Sequence, residues 1–200
     1  MRYVLALTGP SGVGKSTVSR LLATPFGAAM AAVPILTTRG PKAGDDGEYR
    51  YVTLDEFSAM RDDGKLVSFT RIPSATEQRW YGYHGDDVDA IWGMGKLPIV
   101  ITDFALLEGL AASYGRRAVL SFGLLPPGAS RRARLSHLLF RLRHRGRETE
   151  AQIQERIRNA EDDLRHFEEH GELFNHLIVN DDLPSVVRLF QEYVPGLVEA

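Results

Sequence analysis

A glycine-rich segment near the start of the chain is the clearest place for chemistry in this sequence. Residues 9–16 read Gly-Pro-Ser-Gly-Val-Gly-Lys-Ser, which satisfies the pattern G-x-x-x-x-G-K-[ST] without a mismatch. Glycines in this pattern let the backbone turn its N–H groups toward phosphate oxygens. The N-terminus of a following helix adds a favourable dipole for an anion. The segment therefore predicts a P-loop that binds the phosphates of a nucleotide.

Two side chains of this loop have roles that follow from their chemistry. Lys15 can reach the β- and γ-phosphates of a bound nucleotide, and the Ser16 hydroxyl can serve as a ligand of Mg²⁺. We therefore expect ATP and Mg²⁺ as cofactors. The residues expected to bind them in the loop are Gly9, Ser11, Gly12, Val13, Gly14, Lys15, Ser16 and Thr17. A glycine-rich turn that matches by chance is the alternative, and a strand pattern before the loop with a helix pattern after it argues against this.

Short apolar runs predict the strands that must position the loop. Residues 3–7 immediately precede it and are typical of a buried parallel strand. Three further runs, at 97–103, 118–122 and 176–179, predict further strands. The first of these ends in an acid, Asp103. Its place at the end of a strand suits a contact with metal or acceptor, and a purely structural role is equally open.

Helical patterns lie between these runs. Residues 14–22 predict a helix that starts on the loop, and a basic segment over 131–147 predicts another that ends before Gly146. Apolar residues at helical spacing over 153–167 form one stripe. Asp182 precedes a final helix. Strands that alternate with helices predict an α/β fold with a parallel central sheet and right-handed crossovers.

The composition limits the partners and the compartment. Of 200 residues, 44% are hydrophobic and 25% are charged, as in ordinary globular proteins. There is no cysteine, which excludes disulfides and thiolate metal sites. A formal net charge of −2 gives no general attraction to nucleic acid or membrane surfaces, so we expect neither as a partner. No apolar run approaches the ~20 residues of a membrane span, and the start is too short for a signal peptide, so a cytoplasmic location is expected.

Several segments, in this order, resemble the motifs of guanylate kinases, and the likeness covers nearly the whole chain. They are Gly-Pro-Ser-Gly-Val-Gly-Lys-Ser-Thr at 9–17, Thr-Thr-Arg-Gly-Pro-Lys-Ala-Gly at 37–44, Tyr49, Asp-Glu-Phe at 55–57, Tyr-Gly at 81–82, Arg-Gly-Arg-Glu-Thr-Glu at 145–150 with Arg156, and Ile-Val-Asn-Asp-Asp-Leu at 178–183. The resemblance implies one domain with the three-layer α/β/α fold of P-loop NTPases. Its core would comprise residues 1–32, 86–135 and 158–200, with a small mixed acceptor-binding insert at about 33–85 and a helical lid at about 136–157.

The resemblance also implies an activity and roles for individual residues. The chain would transfer the γ-phosphoryl group of ATP to the phosphate of a nucleoside monophosphate, GMP or dGMP. The acceptor phosphate would be held by Arg39, Lys42, Tyr49 and Tyr81, with Ser68 and Asp103 also lining the acceptor site. Arg141, Arg145 and Arg156 would close over the transferring group, and Asn180 would contact the adenine of the donor. The catalytic set implied is Lys15, Arg39, Arg145 and Arg156.

The chain departs from the family pattern where the family reads guanine. Ser68 stands where the family has a glutamate, and Tyr83 stands where it has a small hydroxyl residue. The acidic pair is reduced to Asp103, because its second position is Ala105, and Leu36 replaces a serine. Guanine donors left unpaired in a buried site would cost about 1–3 kcal/mol each. Glu77, in a segment about four residues longer than the family's, is a candidate replacement carboxylate or a solvated loop residue.

These departures leave alternatives open. A related kinase could act on a phosphorylated acceptor without guanine, such as ribose 1,5-bisphosphate or another nucleotide. A non-catalytic binding module is a third reading, which the intact loop argues against. The arginines of 131–147 are either a lid, a solvated face or a nucleic-acid patch, and Tyr49 and Tyr81 are either ligands or packing residues. The partner expected is a small phosphorylated molecule, and the protein is expected to be a monomer or a homodimer.

Overall fold

The structure is a computed structural model that describes residues 2–23, 29–41, 45, 47–72, 78–146 and 148–194. Its strands are β1 (Val4–Thr8), β2 (Met30–Ala32), β3 (Ile35–Thr37), β4 (Tyr49–Tyr51), β5 (Leu66–Ile72), β6 (Arg79–His84), β7 (Leu97–Thr102), β8 (Val119–Leu125) and β9 (His176–Val179). Its helices are α1 (Lys15–Ala23), α2 (Leu54–Asp62), α3 (Gly85–Gly93), α4 (Phe104–Tyr114), α5 (Arg131–Arg145), α6 (Glu150–Glu169) and α7 (Leu183–Tyr193). Short 3₁₀ turns cover Arg116–Ala118 and Gly171–Leu173.

The strands form two sheets. The larger has five strands in the order β2-β7-β1-β8-β9, and the smaller has four in the order β4-β3-β6-β5. In the larger sheet β2 pairs parallel with β7, and β8 pairs parallel with β9. Parallel strands joined through helices confirm the α/β class predicted from the alternating patterns.

The first compact unit comprises Met1–Ala6 and Gly27–Leu120. It contains the smaller sheet, in which β3 and β4 run parallel while β6 runs antiparallel to both β3 and β5. Helix α2 begins with a capping box, because Thr53 and Glu56 bond each other's backbone N–H groups. Leu36, Phe57 and Leu66 form the buried cluster beneath these elements. Helix α4 packs on β5.

The second unit comprises Leu7–Phe26 and Ser121–Ala200. Helix α1 packs on α7, and α5 packs on α6. The ring of Phe122 on β8 lies 4.4 Å from the ring of Phe190 on α7. Helix α6 buries Ile153, Ala160, Leu164 and Phe167, which is the stripe predicted from their spacing. None of the helices that the structure describes combines the length and the apolar run needed to cross a bilayer.

The predicted strands and helices outside the first unit's small sheet are confirmed, with boundaries that shift by a few residues. Helix α5 ends where predicted, since Gly146 takes the left-handed conformation at φ 65°. Asp182 caps α7 as expected. Helices α2, α3 and α4 were not predicted. The first two are only 9 residues long, and each carries few buried positions, so their sequences show little helical periodicity.

Candidate active site

The P-loop joins the end of β1 to the start of α1. Gly12 and Gly14 have φ values of 85° and 107°, a region that side chains other than glycine rarely adopt. A Cβ on Gly14 would also lie 2.7 Å from Nδ2 of Asn180. The N–H of Val13 donates to the carbonyl of Pro10 at 3.2 Å, which closes a turn inside the loop. The loop therefore has the left-handed glycines and the helix N-terminus that a phosphate-binding loop requires.

Lys15 is the first residue of α1, and its side chain folds back over the loop. Its Nζ donates to the carbonyl of Gly9 and, at 3.2 Å, to that of Pro10. The lysine is half-buried, as are Ser16 and Thr17 in the same helical turn. An ammonium group held against the loop carbonyls lies where phosphate oxygens would meet it when the loop N–H groups bind them.

The carbonyl of Val13 anchors the loop to two other elements of the second unit. Nδ2 of Asn180 donates to it at 2.7 Å, and Nη1 of Arg141 donates to it at 3.2 Å. Nη2 of Arg141 in turn donates to the carbonyl of Asn180 at 2.8 Å. Asn180, which directly follows β9, is only 3% exposed. These two predicted nucleotide-binding residues thus meet at the P-loop backbone, and a contact of Asn180 with adenine stays a prediction.

Arg156, on α6, reaches the same loop. Its Nη1 donates to Oγ of Ser11 at 2.8 Å, and its Nη2 lies 3.2 Å from Oε1 of Glu148. Arg145 is the last residue of α5 and is exposed. Because it follows Arg141 by four positions, the two arginines lie on one face of α5. The second unit therefore gathers Arg141, Arg156 and Asn180 around the loop that is predicted to bind phosphate.

Arg39 is the centre of a second cluster, in the first unit. Its guanidinium forms a two-pronged salt bridge with Asp45, with N–O distances of 2.9 and 2.8 Å, and it lies 4.3 Å from the centre of the Tyr49 ring. The side chain is only 6% exposed. Burial works against the charged form, but hydrogen bonds to Asp45 and Tyr49 raise the pKa of Arg39 above its usual range. This arginine is charged at all relevant pH values.

Tyrosines surround this guanidinium. The rings of Tyr49 and Tyr81 meet edge to face with centres 6.5 Å apart. Burial, followed by the charge of Glu48, raises the pKa of Tyr49. Arg39, Tyr49 and Tyr81, which the sequence predicted as one phosphate clamp, are therefore neighbours. Lys42, the fourth predicted member, and Glu77 lie outside the described residues.

Ser68, Tyr83 and Asp103 make backbone contacts instead. Oγ of Ser68 donates to the carbonyl of Leu106 at 2.7 Å, and Oδ1 of Asp103 accepts from the N–H of the same Leu106 at 2.7 Å. The hydroxyl of Tyr83 donates to the carbonyl of Ile101 at 2.7 Å and accepts from its N–H at 2.8 Å. Burial raises the pKa of Tyr83 well above its ordinary value. Ser68 thus links β5 to α4, Asp103 caps the N-terminus of α4, and Tyr83 links β6 to β7.

Within the described residues no three His, Asp or Glu side chains group closely enough to hold a metal ion. A divalent cation that accompanies a nucleotide takes most of its ligands from phosphate and water. The hydroxyl of Ser16, at the N-terminus of α1, would supply one protein ligand of such an ion.

The sequence did not single out Asp45, Tyr51 or Glu148. Asp45 and Tyr51 lie close to the predicted clamp, and their types, an acid and a phenol, are the only indication of a role there. Glu148 lies in the motif at 145–150, and its side chain is 9% exposed beside Arg156. Spacing along the chain could not reveal these pairs, since each depends on how a turn folds back.

Comparisons with known proteins show what the chain is similar to. The family model described as guanylate kinase matches residues 1–196. The guanylate kinase of Francisella tularensis subsp. tularensis (strain FSC 198) is 30% identical over 195 residues, which cover 96% of this chain and 95% of the relative. The guanylate kinase of Chlamydia felis (strain Fe/C-56) is 29% identical over 182 residues, covering 90% and 81%.

A solved structure shows the same fold. The crystal structure of guanylate kinase from Anaplasma phagocytophilum superposes with a TM-score of 0.65 at 19% identity, and it covers 96% of this chain and 83% of that one. At 19% identity this structure supports the fold alone. The evidence from sequence comes from the family model and the curated relatives.

Proposed function

The chain belongs to the guanylate kinase family, and from this premise we propose that it transfers the γ-phosphoryl group of ATP to the phosphate of GMP or dGMP. The observation that carries the proposal is the P-loop, in which Lys15 and two left-handed glycines form a complete phosphate-binding loop. The relatives named above are guanylate kinases. Because the reaction uses ATP, we expect it to take place in the cytoplasm.

Binding of the donor, ATP, depends on neutralising the negative charge of its phosphates. Lys15 would meet the β- and γ-phosphates, and the loop N–H groups would bind the remaining oxygens. Mg²⁺, held by the nucleotide and by Ser16, would supply further neutralisation of the phosphate charge. Arg156 already lies within hydrogen-bond distance of Ser11. Together with Arg141 and Arg145 it would stabilise the charge of the transferring group.

Binding of the acceptor phosphate depends on the cluster around Arg39. A guanidinium binds phosphate through two parallel N–H···O bonds, and phenol groups donate a third. Arg39, Tyr49 and Tyr81 provide these groups in one place. Lys42 would add a further charge. An in-line attack needs both substrates aligned, which is the role expected of this clamp and of the lid arginines.

Turnover with a panel of acceptors tests the proposal. The protein is incubated with Mg-ATP and, in separate reactions, with GMP, dGMP, AMP, UMP, CMP or ribose 1,5-bisphosphate, and ADP release is followed. We expect the highest kcat/KM with GMP or dGMP. Turnover with another acceptor but none with GMP or dGMP would make the proposed substrate wrong. If the protein does not bind Mg-ATP at all, the proposal that it is a kinase is wrong.

A further inference from the structure

The guanidinium of Arg39 already holds an anion that belongs to the chain itself. Nη1 of Arg39 donates to Oδ2 of Asp45 at 2.9 Å, and Nη2 donates to Oδ1 at 2.8 Å. The hydroxyl of Tyr51 donates to the same Oδ2. The carboxylate of Asp45 is 17% exposed. One carboxylate therefore receives at least three hydrogen bonds, two from guanidinium N–H groups and one from a phenol.

This donor set is the one that a phosphate group requires. Two parallel N–H groups of a guanidinium match two oxygens of either a carboxylate or a phosphate. The ring of Tyr49 fixes the guanidinium from one face at 4.3 Å, while the centre of the Tyr51 ring lies 5.8 Å away. Burial, followed by the hydrogen bond to Asp45, raises the pKa of Tyr51 to about 12. The phenol thus stays protonated and donates at neutral pH.

We propose that Asp45 is an internal competitor for the acceptor phosphate, and that Tyr51 is a further residue that binds this phosphate. The proposal rests on the proposed function, in which Arg39 binds the acceptor. An incoming phosphate displaces the Asp45 carboxylate and takes over the donors of Arg39 and Tyr51. No covalent bond changes in this exchange.

The exchange has a physical reason and a consequence for specificity. A buried guanidinium without a partner is costly, so an internal carboxylate stabilises the site when no acceptor is bound. A phosphate dianion carries more charge than a carboxylate and can displace it. An unphosphorylated nucleoside has no group that can do so. Competition lowers the apparent affinity for the true acceptor, because only the fraction of molecules with a released Arg39 can bind it.

The Asp45→Asn variant tests the competition. It keeps the shape of the side chain and removes its charge. We expect the KM for GMP to fall about tenfold, in line with the loss of a charge-assisted hydrogen-bond pair, while the KM for ATP is unchanged. Asp87→Asn is the matched control, since it removes a carboxylate of the same unit that forms its two-pronged salt bridge with a different arginine, Arg50. A similar fall in the KM for GMP in that control would show that the effect comes from the loss of any negative charge in this unit, and it would overturn the proposal.

The role of Tyr51 is tested in the background of Asp45→Asn. There, Tyr51→Phe should raise the KM for GMP about fivefold, because the phosphate loses one donor. In the wild-type background the same change should have a smaller effect, since it weakens the competitor and the substrate alike. This difference is the coupling that a double-mutant cycle measures. An unchanged KM for GMP in the double variant would remove Tyr51 from the phosphate site.

Arg39→Ala separates failure of this proposal from failure of the proposed function. It should raise the KM for GMP strongly and leave the KM for ATP unchanged. If it changes neither, the assignment of Arg39 to the acceptor site is wrong. If it raises the KM for GMP and Asp45→Asn raises it too, Asp45 orients Arg39 and does not compete.

Thermal unfolding of each variant checks that it is folded. A modestly lower Tm is expected for Asp45→Asn, because it loses the stabilising carboxylate; Asp45→Ser replaces it only if Asp45→Asn fails to fold, and the same fall in KM is expected. Loss of the folded state in both variants would show that Asp45 is a structural residue, which also overturns the proposal.

Discussion

The positive charge of Lys15 is held at the P-loop before any substrate binds. Its ammonium group bonds two carbonyls of its own loop, those of Gly9 and Pro10. These bonds restrict a side chain that would otherwise lose much rotamer entropy on binding. A positive charge fixed in this way needs little reorganisation to stabilise the negative charge on the β- and γ-phosphates.

Lys15→Ala is therefore expected to lower kcat by at least about 100-fold, the usual cost of removing one preorganised electrostatic contact. The measurement is the steady-state rate of ADP release with saturating Mg-ATP and GMP. Lys65→Ala is the control, because Lys65 is an exposed lysine bonded to Asp63 in the first unit. Near-normal turnover of Lys15→Ala would remove the lysine from the catalytic set.

Ser68 shows where inference from residue type stops. The resemblance placed it in the acceptor site because the family has a glutamate there. In the structure its hydroxyl is buried and bonds the carbonyl of Leu106, and a Cβ on Gly109 would lie 2.5 Å from that hydroxyl. The backbone of α4 therefore comes too close to this position for a long side chain. The sequence identifies the position, but the partner depends on a helix, α4, whose sequence shows no clear periodicity.

At the scale of elements, the P-loop depends on the end of β9 as much as on its own glycines. Asn180 and Arg141 hold the carbonyl of Val13 from two sides. Gly14 lies beside the Asn180 amide, with 2.7 Å between that nitrogen and the place of a Cβ. The loop, the end of β9 and α5 are therefore linked through this carbonyl, and we expect a change at one of these residues to disturb the other two.

Gly14→Ala should consequently weaken binding of the Mg-nucleotide complex at the P-loop. Alanine rarely adopts the φ of 107° that this position has, and its methyl group would clash with the amide of Asn180. The loop N–H groups must therefore move to accommodate it. We expect a loss of affinity of about tenfold or more, corresponding to strain of about 1–3 kcal/mol, measured by calorimetry with Mg-ADP. Gly93→Ala is the matched control, because nothing lies within 4 Å of its new Cβ. Equal affinities of the two variants would show that the loop tolerates the change.

Apolar runs and stripes decided which elements could be predicted from the sequence. Strands β1, β7 and β8 and helix α6 were predictable, because runs or stripes of fully buried residues leave a clear pattern. The small sheet around Arg39 was predicted only as a mixed region. Its strands are short, β3 and β4 having 3 residues each, and β6 carries the adjacent aromatic residues Trp80 and Tyr81, so apolar and polar residues do not alternate along it. Local composition cannot encode a pairing between strands that lie far apart in the sequence.

At the scale of the whole molecule, tyrosines of the first unit couple stability to alkaline pH. Burial is the largest cause in each case. It raises the pKa of Tyr114 to about 12, and it also raises the pKa values of Tyr49 and Tyr83. An unfolded tyrosine titrates near pH 10. Above that pH the unfolded chain loses protons that the folded chain retains, so the unfolded state is favoured and the free energy of unfolding falls as pH rises.

Two tyrosines of this set differ in the hydrogen bonds of their hydroxyl groups. This difference allows the contribution of hydrogen bonding to stability to be separated from the contribution of the raised pKa. Tyr83 makes two hydrogen bonds to Ile101. The buried hydroxyl of Tyr114 has no hydrogen-bond partner among the described residues, and its ring meets Trp92 edge to face at 5.1 Å. Removal of the first hydroxyl leaves backbone groups unpaired, whereas removal of the second leaves nothing newly unpaired.

We therefore expect Tyr83→Phe to lower the free energy of unfolding at pH 7 by about 1–3 kcal/mol, and Tyr114→Phe to leave it unchanged or slightly higher. Both variants should show a shallower loss of stability above about pH 10, since each removes a proton that only the folded state retains. For Tyr83, whose ring is fully buried, the slope should decrease by about 1.4 kcal/mol per pH unit. Urea unfolding across the alkaline range measures these quantities. If the slope of Tyr83→Phe equals that of the wild type, the phenol of Tyr83 is not the proton that the fold retains, and its hydrogen bonds to Ile101 act on stability alone.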